Sequence, residues 1–191
     1  MYVMKKILTV LILAIAFAIT AHAQEPEKLL GNESFVILST KRIQTMEKEL
    51  GEMGKKGYHV LYGAPTNQVD MALLLTKNEP AERPTFEYMI VATSRISTME
   101  KELNEAGQSG FRLLPRTIIF KQGFLTAELT MVLERDPQSN ATYKYDLKES
   151  VKETSLHKQV DEAISGGFVP VTMITLGKHV VVMEKTGVKT L

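Results

Sequence analysis

Thr98-Met99-Glu100-Lys101-Glu102-Leu103 repeats Thr45-Met46-Glu47-Lys48-Glu49-Leu50 without a change, 53 residues further along the chain. The match extends on both sides. Ile37, Thr40 and Arg42 fall on Ile90, Thr93 and Arg95, and Gly54, Gly57, Tyr58 and Leu61 fall on Gly107, Gly110, Phe111 and Leu114. A duplication of this kind fixes one folding unit and requires at least two of it. A weaker third copy follows 57 residues later: Leu156 and Val160 stand where Met99 and Leu103 do, Gly167-Phe168 repeats Gly110-Phe111, and Tyr145 falls on Tyr88. In this copy Ile164 replaces the first glycine.

Within a unit the pattern predicts strand, helix, strand, strand. Phe35-Val36-Ile37-Leu38 is a short apolar run of strand character. Ile43, Met46, Leu50 and Met53 then recur at three- and four-residue steps, the stripe of an amphipathic helix, as do Ile96, Met99, Leu103 and Ala106. The reading has Gly54 and Gly57 end the first helix, with Gly57 as the left-handed turn residue. Tyr58–Tyr62 and Val69–Thr76 complete the unit. The second unit runs Tyr88–Ala92, a helix whose Ser97-x-x-Glu100 fits a capping box, then Phe111–Phe120 and Leu125–Leu133 as a hairpin. The third has a helix over roughly Ser150–Ile164, then strands Phe168–Leu176 and His179–Glu184. Unit boundaries are 24–79, 84–136 and 141–186, with Pro80 and Pro84 stiffening the first linker.

One helix covers only one face of a small sheet, yet Met71–Leu75 and Val180–Met183 are apolar on both faces. Such strands are buried on both sides. The expected fold is therefore α+β: tandem β-α-β-β repeats, antiparallel sheets each covered by one helix, packed together. A homo-oligomer is the other way to cover the second face.

The chain opens with Lys5-Lys6, an uncharged run from Ile7 to Thr20, and Ala21-His22-Ala23, the form of a secretory signal cleaved after Ala23. The run is short of the roughly 20 residues of a membrane span. The expected location is periplasmic or secreted, with no membrane association after cleavage. Removing Lys5 and Lys6 from 23 basic and 22 acidic residues leaves a formal charge of −1, which gives no reason to expect nucleic-acid binding. The chain has no cysteine, so its core or its assembly, and no disulfide, must hold it.

A helix ending in Leu, then Gly-x-x-Gly and an aromatic that opens a strand, resembles a small bacterial domain family of unknown function whose members read roughly LNELGAEGWELV. Leu50, Gly54, Gly57 and Tyr58 lie on that pattern, as do Leu103, Gly107, Gly110 and Phe111; the third copy keeps Gly167 and Phe168. The family's tryptophan is Tyr or Phe in every copy here. The resemblance implies the strand-helix-strand-strand unit and no activity.

Little in the sequence points to catalysis. His59, His157 and His179 lie at different places in their units and lack metal-ligand spacing, so no metal is expected; no cofactor motif is present and no thiol nucleophile exists. The repeated Glu47-Lys48-Glu49 and Glu100-Lys101-Glu102 read as solvated helix faces. Thr40-x-Arg42 and Thr93-x-Arg95 are the one repeated polar pair that could hold a carboxylate ligand. The expectation is an exported, non-enzymatic protein that binds a protein or small-ligand partner or assembles, the alternative being a ligand pocket or active site between repeats.

Overall fold

Each copy folds as its residue pattern dictates, into an antiparallel sheet with one helix. The computed structural model describes residues 34–66, 71–77, 85–122, 127–175 and 177–189. The expected signal sequence, the 78–84 linker and part of the two predicted hairpin turns lie outside those residues. The first unit contains β1 (Phe35–Thr40), α1 (Ile43–Lys55), β2 (Tyr58–Ala64) and β3 (Met71–Lys77). The second contains β4 (Glu87–Thr93), α2 (Ile96–Gln108), β5 (Arg112–Leu113), β6 (Ile119–Gln122) and β7 (Ala127–Arg135). The third contains β8 (Ala141–Ser150), α3 (Glu153–Ser165), β9 (Val169–Thr175) and β10 (His179–Val188). In every sheet the last strand lies in the middle: the orders are β1-β3-β2, β4-β7-β5 with β6 also on β7, and β8-β10-β9.

The helix stripes are buried as the periodicity requires. Met46 and Leu50, and in the second unit Met99 and Leu103, are fully enclosed. Gly57, Gly110 and Gly167 take φ of 82°, 93° and 85°, the left-handed turn that sends each chain from helix to strand.

Several boundaries differ from the sequence reading. Pro115 breaks the long strand expected after Phe111: it cannot donate to the ladder, and Pro115–Thr117 forms a 3-10 turn between β5 and β6. The buried Thr117 hydroxyl accepts from the Val132 amide at 3.0 Å, replacing the missing ladder bond. The third helix starts at Glu153, not Ser150, because β8 pairs with β10 as far as Ser150. The capping box does not form; α2 begins after Arg95 without a side-chain cap. Gly54 and Gly107 do not stop their helices either. Both lie inside them and are buried.

The second and third sheets share a core. One apolar cluster joins Met99, Leu103 and Phe111 of the second unit to Tyr145, Leu147, Val180 and Val182 of the third. The following sheet thus covers what a single helix leaves open.

Candidate functional site

The repeated polar residues gather where one unit meets the next. In both joins a helix runs along the outer edge of the next unit's first strand, where backbone groups have no strand partner. Glu47 Oε1 accepts from the Ile90 amide at 3.1 Å, and its counterpart Glu100 Oε2 accepts from the Leu147 amide at 3.2 Å. One turn further on, Asn104 takes both backbone groups of Tyr145, accepting from its amide and donating to its carbonyl at 2.9 Å each. Another turn on comes the glycine. A Cβ at Gly54 would strike the Phe86 carbonyl oxygen, and one at Gly107 the Tyr143 carbonyl oxygen. The stripe Glu-x-x-x-(Gly/Asn)-x-x-Gly therefore caps an edge strand. Glu47 and Glu100 are not parts of a solvated face, which corrects the sequence reading; the Lys101–Glu105 pair, more than half exposed, is such a face.

A second set closes the other side of each join. The Tyr88 hydroxyl lies 2.7 Å from Glu134 Oε2 and 2.8 Å from the Tyr58 carbonyl, two acceptors for its one proton. At the equivalent place the Tyr145 hydroxyl accepts from the Leu113 amide at 2.8 Å and donates to Glu184 Oε2 at 3.2 Å. Glu184 is 1% exposed and is held by Arg112, Nε to Oε1 at 3.0 Å and Nη2 to Oε1 at 2.8 Å. Glu134 has His59 Nδ1 at 3.8 Å. His59 and Arg112 occupy the same repeat position, so the histidine itself does not recur, and a different basic side chain faces the carboxylate in the second copy.

Burial pushes both tyrosines far above their ordinary range, with the adjacent carboxylates adding to the shift. It also raises Glu134, against the lowering effect of the Tyr88 hydrogen bond. Arg112 is raised by its bond to Glu184. A raised tyrosine pKa stabilises the fold below the ordinary value of 10.0 and loses that contribution as pH climbs above it. Unfolding free energy is therefore expected to fall steeply above about pH 10, and Tyr88→Phe/Tyr145→Phe should flatten that limb. Denaturant melts from pH 8 upward check this, and equal slopes would refute it.

A third feature occurs in every unit. Lys77, Arg135 and Lys185 each lie over the aromatic that opens the second strand, Tyr58, Phe111 and Phe168, at 5.8, 4.7 and 5.8 Å from the ring centres. Arg135 and Lys185 also donate to carbonyls at the helix ends, Ser109 and Gly166, at 3.0 and 2.9 Å, where a cation is favoured.

The candidate ligand residues lie elsewhere. Thr40 Oγ1 accepts from the Arg42 amide and Thr93 Oγ1 from the Arg95 amide, both at 3.3 Å. Ser150 does the same for Lys152 at 3.0 Å, so the third copy keeps the motif. These hydroxyls shape the turn that leads into each helix. Arg42 and Arg95 are exposed and lie on different units. Arg95 borders a hollow of about 370 Å³ with Thr93, Thr98, Glu102 and Glu128, and the described lining of that hollow contains no histidine. A larger open cleft of about 730 Å³ lies at the second join, between Glu100, Asn104, Tyr143, Tyr145, Phe168 and Lys185. Four of its polar side chains, those of Glu100, Asn104, Tyr145 and Lys185, already bond to backbone. Among the described residues no group of three His, Asp or Glu side chains is placed to hold a metal, and no helix is long and apolar enough to cross a membrane.

No family model, curated protein or solved structure matches this chain.

Proposed function

We propose that this is an exported, non-catalytic module that binds a protein partner or assembles, built as a stack of three related units. The observation that carries the reading is where the duplicated polar groups are used. Glu47, Glu100, Tyr88, Tyr145 and Glu184 all bond unit to unit, Glu134 faces His59 of the preceding unit at 3.8 Å, and the repeated Thr-x-Arg motifs shape turns. Chemistry kept across copies is spent on architecture, which leaves recognition to surfaces that differ between copies. The resemblance to a β-α-β-β family adds a fold and no reaction.

The reading is tested in cells. The mature N-terminus is expected at Gln24 in a soluble exported fraction, and an intact Met in the membrane fraction overturns export. A photo-crosslinker at Ile37, on the exposed first strand, should give a protein adduct, whereas one at Arg95 should not. Absence of any protein adduct counts against binding and assembly. The cleft at the second join supports a second reading, a small-ligand site. A ligand that raises the melting temperature, with the rise abolished by Lys185→Ala, would move the assignment there.

A further inference from the structure

Each inner sheet has its leading edge covered by the preceding helix, but no described residue covers the edge of β1. Ser34 turns its carbonyl toward β3, where it accepts from the Lys77 amide at 2.9 Å. By the alternation of an antiparallel strand, Phe35, Ile37 and Ser39 direct their backbone groups to the free side. Their side chains are bare as well: Phe35 is 59% and Ile37 61% exposed, whereas the equivalent Tyr145 and Leu147 are 1% and 7% exposed. The strand reads FVILST and pairs with β3 without a register shift. It has none of the usual guards of an edge: no charge, no proline, no bulge. The Tyr–Glu pair of the inner joins is replaced here by Phe35 opposite Thr76, so no carboxylate stands beside the strand on that face.

The repeat itself shows what cannot cover it. Stacking a second chain end to end would bring α3 against β1. At the stripe positions α3 has His157, Asp161 and Ile164, with His157 and Asp161 paired to each other at 2.9 Å. Ile164, 48% exposed, stands where even a glycine's added Cβ would strike the receiving strand. The C-terminal end is thus closed to the join used twice inside the chain.

A like edge remains, and β1 is complementary to itself. We propose that β1 pairs antiparallel with β1 of a second copy about a two-fold axis, giving a closed dimer. This rests on the assembly reading above and specifies its surface. With Phe35 opposite the second copy's Ile37, and the reverse, the strands exchange about four N–H···O bonds. The same register makes two aromatic to β-branched cross-strand pairs. The result is one six-stranded sheet, β2-β3-β1-β1-β3-β2.

Sedimentation equilibrium of the exported protein is expected to give twice the chain mass at micromolar concentration. Ile37→Lys, which places like charges across the axis, should weaken association by roughly a hundredfold or more with an unchanged circular dichroism spectrum. Amide exchange at Phe35 and Ile37 in the unsubstituted protein should slow as concentration rises, a readout that needs no variant. A monomer throughout, a dimer that survives Ile37→Lys, filaments, or protection independent of concentration would each overturn the proposal. So would a crosslink from Ile37 to a different protein, which would leave the broader binding reading standing.

Discussion

Replacing Gly107 by alanine is expected to lower the stability of the protein by about 3 kcal/mol or more, although alanine is the better helix former. Propensity alone would give a gain, at most about 1 kcal/mol because Gly107 is the penultimate residue of α2. The sign reverses because the new methyl would fall on the Tyr143 carbonyl oxygen, a backbone atom that cannot turn aside. Either α2 lifts from β8, breaking the Asn104 and Glu100 bonds, or the strand bends away from β10. Gly51 is the control. It lies in the interior of α1 with nothing within 4 Å of its would-be Cβ, so Gly51→Ala should stabilise by about 0.5–1 kcal/mol. Urea unfolding of the two variants measures both, and similar values for them would refute the close-approach account.

The second large effect is expected at Arg112. Arg112→Met removes the one cation that, among the described residues, bonds to the buried Glu184, and leaves it the Tyr145 hydroxyl. Breaking a buried pair by deleting one partner costs about 3–5 kcal/mol, mostly the penalty of the stranded charge. Adding Glu184→Gln to Arg112→Met should therefore recover most of the loss, since the remaining group is neutral. His59→Gln at the equivalent place should cost less than about 1 kcal/mol, because its partner stands at 3.8 Å and keeps 18% exposure. A double-mutant cycle with no coupling between positions 112 and 184 would contradict this assignment.

Much of the architecture was legible before any coordinates. The apolar stripe gave all three helices, and the Gly-aromatic step gave their ends, because both are local signals. The sheets' mutual packing followed from strands apolar on both faces. What stayed hidden was the use of the polar residues. Glu47 and Glu100 look like solvent-facing members of a charged run. Their roles depend on an edge strand some 40 residues away in sequence, Ile90 and Leu147. Gly54 and Gly107 resemble helix stops, since a sequence carries no sign that a foreign carbonyl will pass over them. The basic residues over the aromatics were obscured by spacing. The helices repeat at 53 and then 57 residues, but Lys77, Arg135 and Lys185 are 58 and then 50 apart because hairpin lengths differ. The likeness of His59 to Arg112 needed the sheet register to be seen. Arg42 and Arg95 stood out because they recur with their threonines; the hydroxyl turn they share explains that recurrence without a ligand.

The way each unit is finished by the next has a consequence for how the chain comes into being. A polypeptide emerges from its N-terminus, so the first helix is made before the strand whose edge it must cap. Glu47 waits for Ile90, Asn104 waits for Tyr145, and Leu113 waits for the Tyr145 hydroxyl. Early units are left with unfilled edges and half-closed cores until their successors arrive. The third unit differs: its helix carries Ile164 in place of the glycine that admits a neighbouring strand. Completion therefore runs backward along these three units, each later one settling the one made before it.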